Sequence, residues 1–205
     1  MWSWSLNWHD ITPQLVIGTC PMTPADVARI GSGAQVDGIL SVQHDDCLAY
    51  WKIDEAAMQA AGAEAGLRMR RVPIRDFDVE DSRRCLPKAV AALADLYCDC
   101  ERVYVHCTAG LGRAPVTVIA YLVFIEGMRP EAAFELVKAR RPGSVPAWEA
   151  FDGCRRDLME RWSPAIRTRA RQLGEESGDG NHDPHWDRAT TEVLRERLLG
   201  GMPQR

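Results

Sequence analysis

Arg102-Val-Tyr-Val-His106-Cys107-Thr-Ala-Gly-Leu-Gly-Arg113, followed by the almost wholly apolar run 114–125, decides the architecture of this chain. The residues up to His106 are few, β-branched and bounded by polar neighbours, which predicts a buried strand. Residues 114–125 are long enough for a buried helix. Between the two the chain turns within a few residues, and Gly110 and Gly112 permit a backbone that other residues resist. A strand running through such a loop into a helix points backbone N–H groups at one place, where an anion with several oxygens is held.

Working outward, the same reading predicts a second central strand at 38–43, a weaker third at 67–72 ended by Pro73, and an edge strand at 14–17 before Gly18. Apolar spacing predicts helices at 53–65, closed by Gly66, at 86–97, at 130–139 after Gly127, and at 147–160. Strands alternating with helices define an α/β protein, a central, mostly parallel sheet flanked by helices. Beyond Trp162 the composition changes to a polar loop at 174–181 and a short amphipathic helix at 186–199. So few residues bury no core of their own, so residues 1–162 are expected to form the domain. Residues 163–205 are expected to dock back on it through Trp186, Val193 and Leu198.

Composition narrows the function. A net charge of −4 offers polyanions no general attraction, so nucleic acid is not an expected partner. No run approaches the ~20 apolar residues of a membrane span, and none is expected. Seven cysteines, an odd number, do not make a disulfide framework and favour a reducing compartment. Cys98 and Cys100 lack a second Cys or His pair at zinc-site spacing, so no metal is expected. No Lys or Arg precedes Arg29, which leaves the start without the basic flank of a targeting segment. The expectation is a soluble intracellular protein, of chloroplast or cytoplasm, and a monomer.

Chemistry concentrates on Cys107, which among the seven cysteines alone has Arg six places later. Inward N–H groups, a helix N-terminus and a guanidinium all favour a thiolate over a thiol, which makes Cys107 a candidate nucleophile. Arg113 can grip two phosphate oxygens through its planar fork. His106, Thr108, Ala109, Gly110, Leu111 and Gly112 complete a phosphate-binding loop, with His106 expected to hold the loop rather than react. No cofactor is required. An alkoxide leaves well only if protonated, so a carboxylic acid must face the loop. The segment Arg75-Asp76-Phe77-Asp78 offers two, Asp76 and Asp78.

The loop resembles that of dual-specificity phosphatases within the protein tyrosine phosphatase superfamily, which implies that fold. In detail Cys107-Thr-Ala-Gly-Leu-Gly-Arg113-Ala114-Pro115 is similar to the loop of plant starch phosphatases of the Starch-Excess-Four and Like-Starch-Excess-Four type, where Cys-x-Ala-Gly-x-Gly-Arg marks glucan phosphatases. The similarity runs from Ile11-Thr-Pro to the Arg-Pro after Lys138. Ala114 replaces the Ser or Thr that commonly follows the loop Arg, as it does in the starch enzymes. By the same resemblance Asp76 is the acid, and Tyr50 and Trp51, in a loop after strand 38–43, with Phe77 beside the acid, contact substrate. Trp148 is a weaker match, with Val145 standing where some relatives carry an aromatic. A carbohydrate-binding module is not expected within these 205 residues. The tail His185-Trp-Asp-Arg and its terminal helix resemble the Like-Starch-Excess-Four-two architecture.

The resemblance implies release of phosphate from phosphorylated α-glucan, starch or a glycogen-like polymer, through a cysteinyl-phosphate. Two alternatives stand beside it: a dual-specificity protein phosphatase acting on phosphotyrosine, phosphoserine or phosphothreonine, and a non-catalytic glucan-binding scaffold.

Overall fold

The computed structural model describes residues 3–177 and 185–200. Five strands form one sheet: β1 (Trp8–Asp10), β2 (Leu15–Gly18), β3 (Gly38–Gln43), β4 (Arg68–Ile74) and β5 (Val103–His106). Their order is β1-β2-β5-β3-β4, with β1 antiparallel to β2 and the remaining pairs parallel. Parallel neighbours need crossovers. These are supplied by α1 (Pro24–Gly33), then α2 (Asp45–Trp51) with α3 (Glu55–Glu64), then α4 (Val79–Asp99). After β5 come α5 (Arg113–Phe124), α6 (Pro130–Arg140), α7 (Trp148–Ser177) and α8 (Trp186–Leu199).

The two-residue period of the strands sorts side chains between two cores. Val16, Ile39 and Tyr104 face α1 and α3, where Val27, Ile30 and Met58 meet them. Leu15, Ile17, Leu40, Val42, Val103 and Val105 face the larger core with α4, α5 and Phe151 of α7. Every residue of α5 is buried, which is why its sequence lacks a polar face. Ile166, Ala170 and Leu173 of α7 pack with Ala189 and Val193 of α8 in a third cluster.

Several expectations change. The segment at 14–17 is not an edge: β2 lies between β1 and β5. The edge is β1, three residues whose period is too short to read. The third strand runs past Pro73 to Ile74; β4 is an outer strand, and its register with β3 shifts between Ser41 and Gln43, so no ladder bond is needed from the proline. Helix α1 adds to the expected elements; Thr23 and Asp26 cap it reciprocally and Pro24 opens it. Tyr50 and Trp51 sit in helix α2, capped by His44, rather than in a loop. The last helix of the domain continues through Pro164 to Ser177, so part of the expected polar loop is helical, and the rest of it, 178–181, lies outside the described residues.

Candidate active site

The chain leaves β5 at His106 and enters α5 at Arg113, so the loop 107–112 lies at the carboxyl end of the sheet, where α/β proteins bind ligands. Gly110 has φ +68°, and a Cβ there would drive into the carbonyl of Gly18. Only glycine meets both demands. Nothing caps α5 with a side chain at Gly112, which leaves the first-turn N–H groups to the loop's interior.

Thr108 ties the loop to its surroundings. Its carbonyl accepts from the Cys20 N–H at 3.0 Å, and its hydroxyl accepts from Gln43 Nε2 and Arg113 Nη2, both at 3.2 Å. Arg113 is only 4% exposed. Its Nη1 donates to the Ile74 carbonyl at 2.9 Å and to Cys47 Sγ at 3.4 Å, and its Nη2 lies 2.8 Å from Asp76 Oδ2. The guanidinium thus joins the loop, the end of β4, helix α2 and the acid segment.

The two aspartates part ways here. Asp78 is the N-cap of α4, its Oδ1 accepting from the Asp81 N–H at 2.8 Å. Asp76 turns instead toward Arg113. Between them Phe77 has φ +56°, a left-handed backbone that costs a bulky residue energy, and its ring is fully exposed. That kink lets residues two apart serve different ends.

His106 is buried, with Nδ1 3.0 Å from the Cys107 carbonyl. Burial above all pushes its pKa down to about 4, with the Arg113 charge acting the same way. The ring is therefore neutral and fitted to donate to that carbonyl. Burial also pushes the thiols of Cys20 and Cys154 up to about 12, which keeps them protonated at neutral pH.

Aromatic side chains stand on the elements around the site. Tyr50 and Trp51 stand edge to face at 5.2 Å on the helix whose Cys47 touches Arg113. Tyr50 is well exposed. On another side the Val145 N–H donates to the Leu111 carbonyl at 2.6 Å, leaving the Val145 side chain exposed, and Trp148 packs on Phe134 at 4.4 Å. The structure thus brings Cys107, Arg113 and Asp76 to one place, with Phe77 exposed next to Asp76 in the chain and the Tyr50–Trp51 pair on the helix that carries Cys47. Sequence reasoning missed Cys47 and Gln43, which carry no local signal. It also missed the role of Arg141, whose Nε and Nη2 donate to the carbonyls of Gly110 and Ala109.

A loop of this form on this sheet defines a protein tyrosine phosphatase-like catalytic domain. The description of the dual specificity phosphatase catalytic domain matches residues 47–152, just over half of the chain, and the chain belongs to that family. Among curated proteins it is 33% identical over 159 residues to the amyloplastic phosphoglucan phosphatase DSP4 of Castanea sativa, an alignment covering 75% of this chain and 41% of that one. It is 33% identical over 153 residues to the chloroplastic phosphoglucan phosphatase LSF1 of Arabidopsis thaliana, covering 72% and 25%. Laforin of Mus musculus is 24% identical, covering 77% and 51%. The chain therefore spans about half or less of the length of these relatives. Among solved structures, that of PTPMT1 superposes with a TM-score of 0.58 at 20% identity, covering 77% of this chain and 99% of that one, a likeness of fold.

Proposed function

We propose that this protein hydrolyses phosphate monoesters on phosphorylated α-glucan through a cysteinyl-phosphate. Cys107 as thiolate attacks phosphorus, a sulfur–phosphorus bond forms, and the bond to the sugar oxygen breaks. Asp76, protonated, gives its proton to that oxygen as it leaves. In the second step Asp76 takes a proton from water, whose oxygen attacks phosphorus. The sulfur–phosphorus bond breaks, inorganic phosphate departs and the thiolate returns. Arg113 and the loop N–H groups hold the equatorial oxygens throughout.

The observation that carries this mechanism is Arg113 held between the loop and Asp76. The Asp76 carboxylate lies against the guanidinium fork of Arg113, its Oδ2 2.8 Å from Nη2. A phosphate dianion offers that fork two oxygens in its place and frees Asp76 to face the ester oxygen. The glucan reading is supported by the exposed rings of Phe77 and Tyr50, since sugar faces stack on flat aromatic surfaces. It is supported too by the phosphoglucan phosphatases among the relatives.

Phosphate release from phosphorylated amylopectin, set beside release from phosphotyrosine and phosphoserine peptides, tests the substrate. Faster turnover of the polymer is expected; equal or faster turnover of peptides overturns the glucan assignment in favour of a protein phosphatase. Binding to amylopectin without turnover of any phosphoester would make the protein a scaffold. No helix among the described residues is long and apolar enough to cross a membrane.

A further inference from the structure

Arg141 follows α6 and is 2% exposed, yet among the described residues its charge meets the Tyr104 and Cys107 side chains and no carboxylate. A guanidinium buried without a counter-ion is costly unless its donors are placed. Nε donates to the Gly110 carbonyl at 3.2 Å and Nη2 to the Ala109 carbonyl at 3.1 Å. Nη1 donates to Asn7 Oδ1 at 2.7 Å and meets His9 Nδ1 at 2.8 Å. The fork therefore grips two successive carbonyls of the phosphate loop, while the N-terminal edge segment holds its other end.

In a trans peptide the carbonyl and the following N–H point in opposite directions. Drawing the Ala109 and Gly110 carbonyls toward Arg141 therefore turns the N–H groups of Gly110 and Leu111 away from it, toward the loop's other side. The Gly18 carbonyl pressed against Gly110 blocks any retreat of the loop. We propose that Arg141 is a positioning residue that holds the phosphate loop from behind, aiming its N–H groups at the phosphoryl oxygens, and that Asn7 and His9 anchor it. This rests on the reading of Cys107 as nucleophile of that loop. It also gives β1 a purpose: three residues too few to add much to the sheet close the back of the site. His9 accepts from Arg141 only as a neutral ring, and burial and the Arg141 charge both push its pKa down.

The test uses Arg141→Lys, which keeps the charge but cannot bridge two carbonyls. An aryl phosphate is the substrate, iodoacetate inactivation against pH reports the thiolate, and thermal unfolding reports the fold. A cooperative transition is expected, with kcat down about a hundredfold and inactivation displaced to higher pH. A lowered Tm with unchanged kcat and unchanged inactivation profile would make Arg141 merely structural and overturn the proposal. If Arg141→Lys does not fold, the double variant Asn7→Ala/His9→Ala leaves Arg141 in place. It should lower kcat about tenfold with the same displacement. No change in either overturns the proposal. Cys107→Ser is run beside them: surviving turnover sinks the nucleophile reading, whereas a dead Cys107→Ser with a normal Arg141→Lys removes the positioning role alone.

Discussion

The phosphate loop and the acid segment face the same small space but are built on opposite plans. The loop is half buried and pinned by many contacts, by Gln43 and Arg113 at Thr108, by Cys20 at the Thr108 carbonyl, and by Arg141 at Ala109 and Gly110. The acid segment is tethered at Asp76 and at the Asp78 cap, with Phe77 exposed between. Chemistry common to all phosphate monoesters needs donors placed within a fraction of an ångström, and only a packed surround supplies that. Recognition of the group carrying the phosphate needs reachable surface, which is why the proposed glucan reading assigns it to exposed rings.

The largest test of this contrast falls on the pinned side. Cys107→Ser should lower turnover of an aryl phosphate by at least about 10⁴-fold, whereas Cys47→Ser, the other thiol beside Arg113, should stay within about threefold. Steady-state kinetics on the two variants checks both, and similar losses would mean that Cys107 is not the sole nucleophile. At the junction of the two regions, Asp76→Asn should cost about 10²- to 10³-fold in kcat and flatten the acid-dependent limb of the pH profile. Asp78→Asn should leave that limb in place and lower unfolding stability by about 1 kcal/mol or less, since Asn still caps a helix. The reverse pattern would exchange the two roles.

Buried His106 makes the pinned side sensitive to acid. Its folded pKa of about 4 lies below the ordinary 6.5, so the unfolded chain binds the extra proton first. Stability is full above pH 6.5 and is lost as pH falls toward 4, by about 3 kcal/mol in all. Urea unfolding followed between pH 7 and 4 should show this slope, and His106→Asn should reduce it; an equal slope in both would place the acid sensitivity elsewhere. The smallest effect belongs to the exposed side. Phe77→Ala should lower kcat/KM on phosphorylated amylopectin about tenfold, the value of one stacked ring, and clearly less on an aryl phosphate. Equal losses on both would assign Phe77 to shaping the acid loop instead of binding sugar.

Legibility followed the range of the interactions. Strands β3 and β5 and helices α5, α6 and α8 could be read because apolar period and punctuation are local. Helix α1 carries a local signal only at its start, in Thr23-Pro24 and Asp26. Strand β1 was not, since three residues have no period, and what holds it is pairing with β2 and the packing of Trp8 on Tyr104. Nothing near Cys47 in sequence marks it as a neighbour of the site, and Arg141 is marked only by the Arg-Pro at which the family resemblance ends, without a role; their partners lie tens of residues away or more.

By itself the sequence determined the α/β alternation and the family. It also determined the loop carrying Cys107 and Arg113, because a nucleophile, its glycines and its guanidinium must lie within one tight turn. Only the tertiary structure decided that Asp76 meets Arg113 while Asp78 caps α4, that Cys47 and Gln43 join the site, and that Arg141 lies behind the loop. Those depend on where β4, α2, β1 and the residues after α6 come to rest against one another, and packing sets that, through contacts no local pattern encodes.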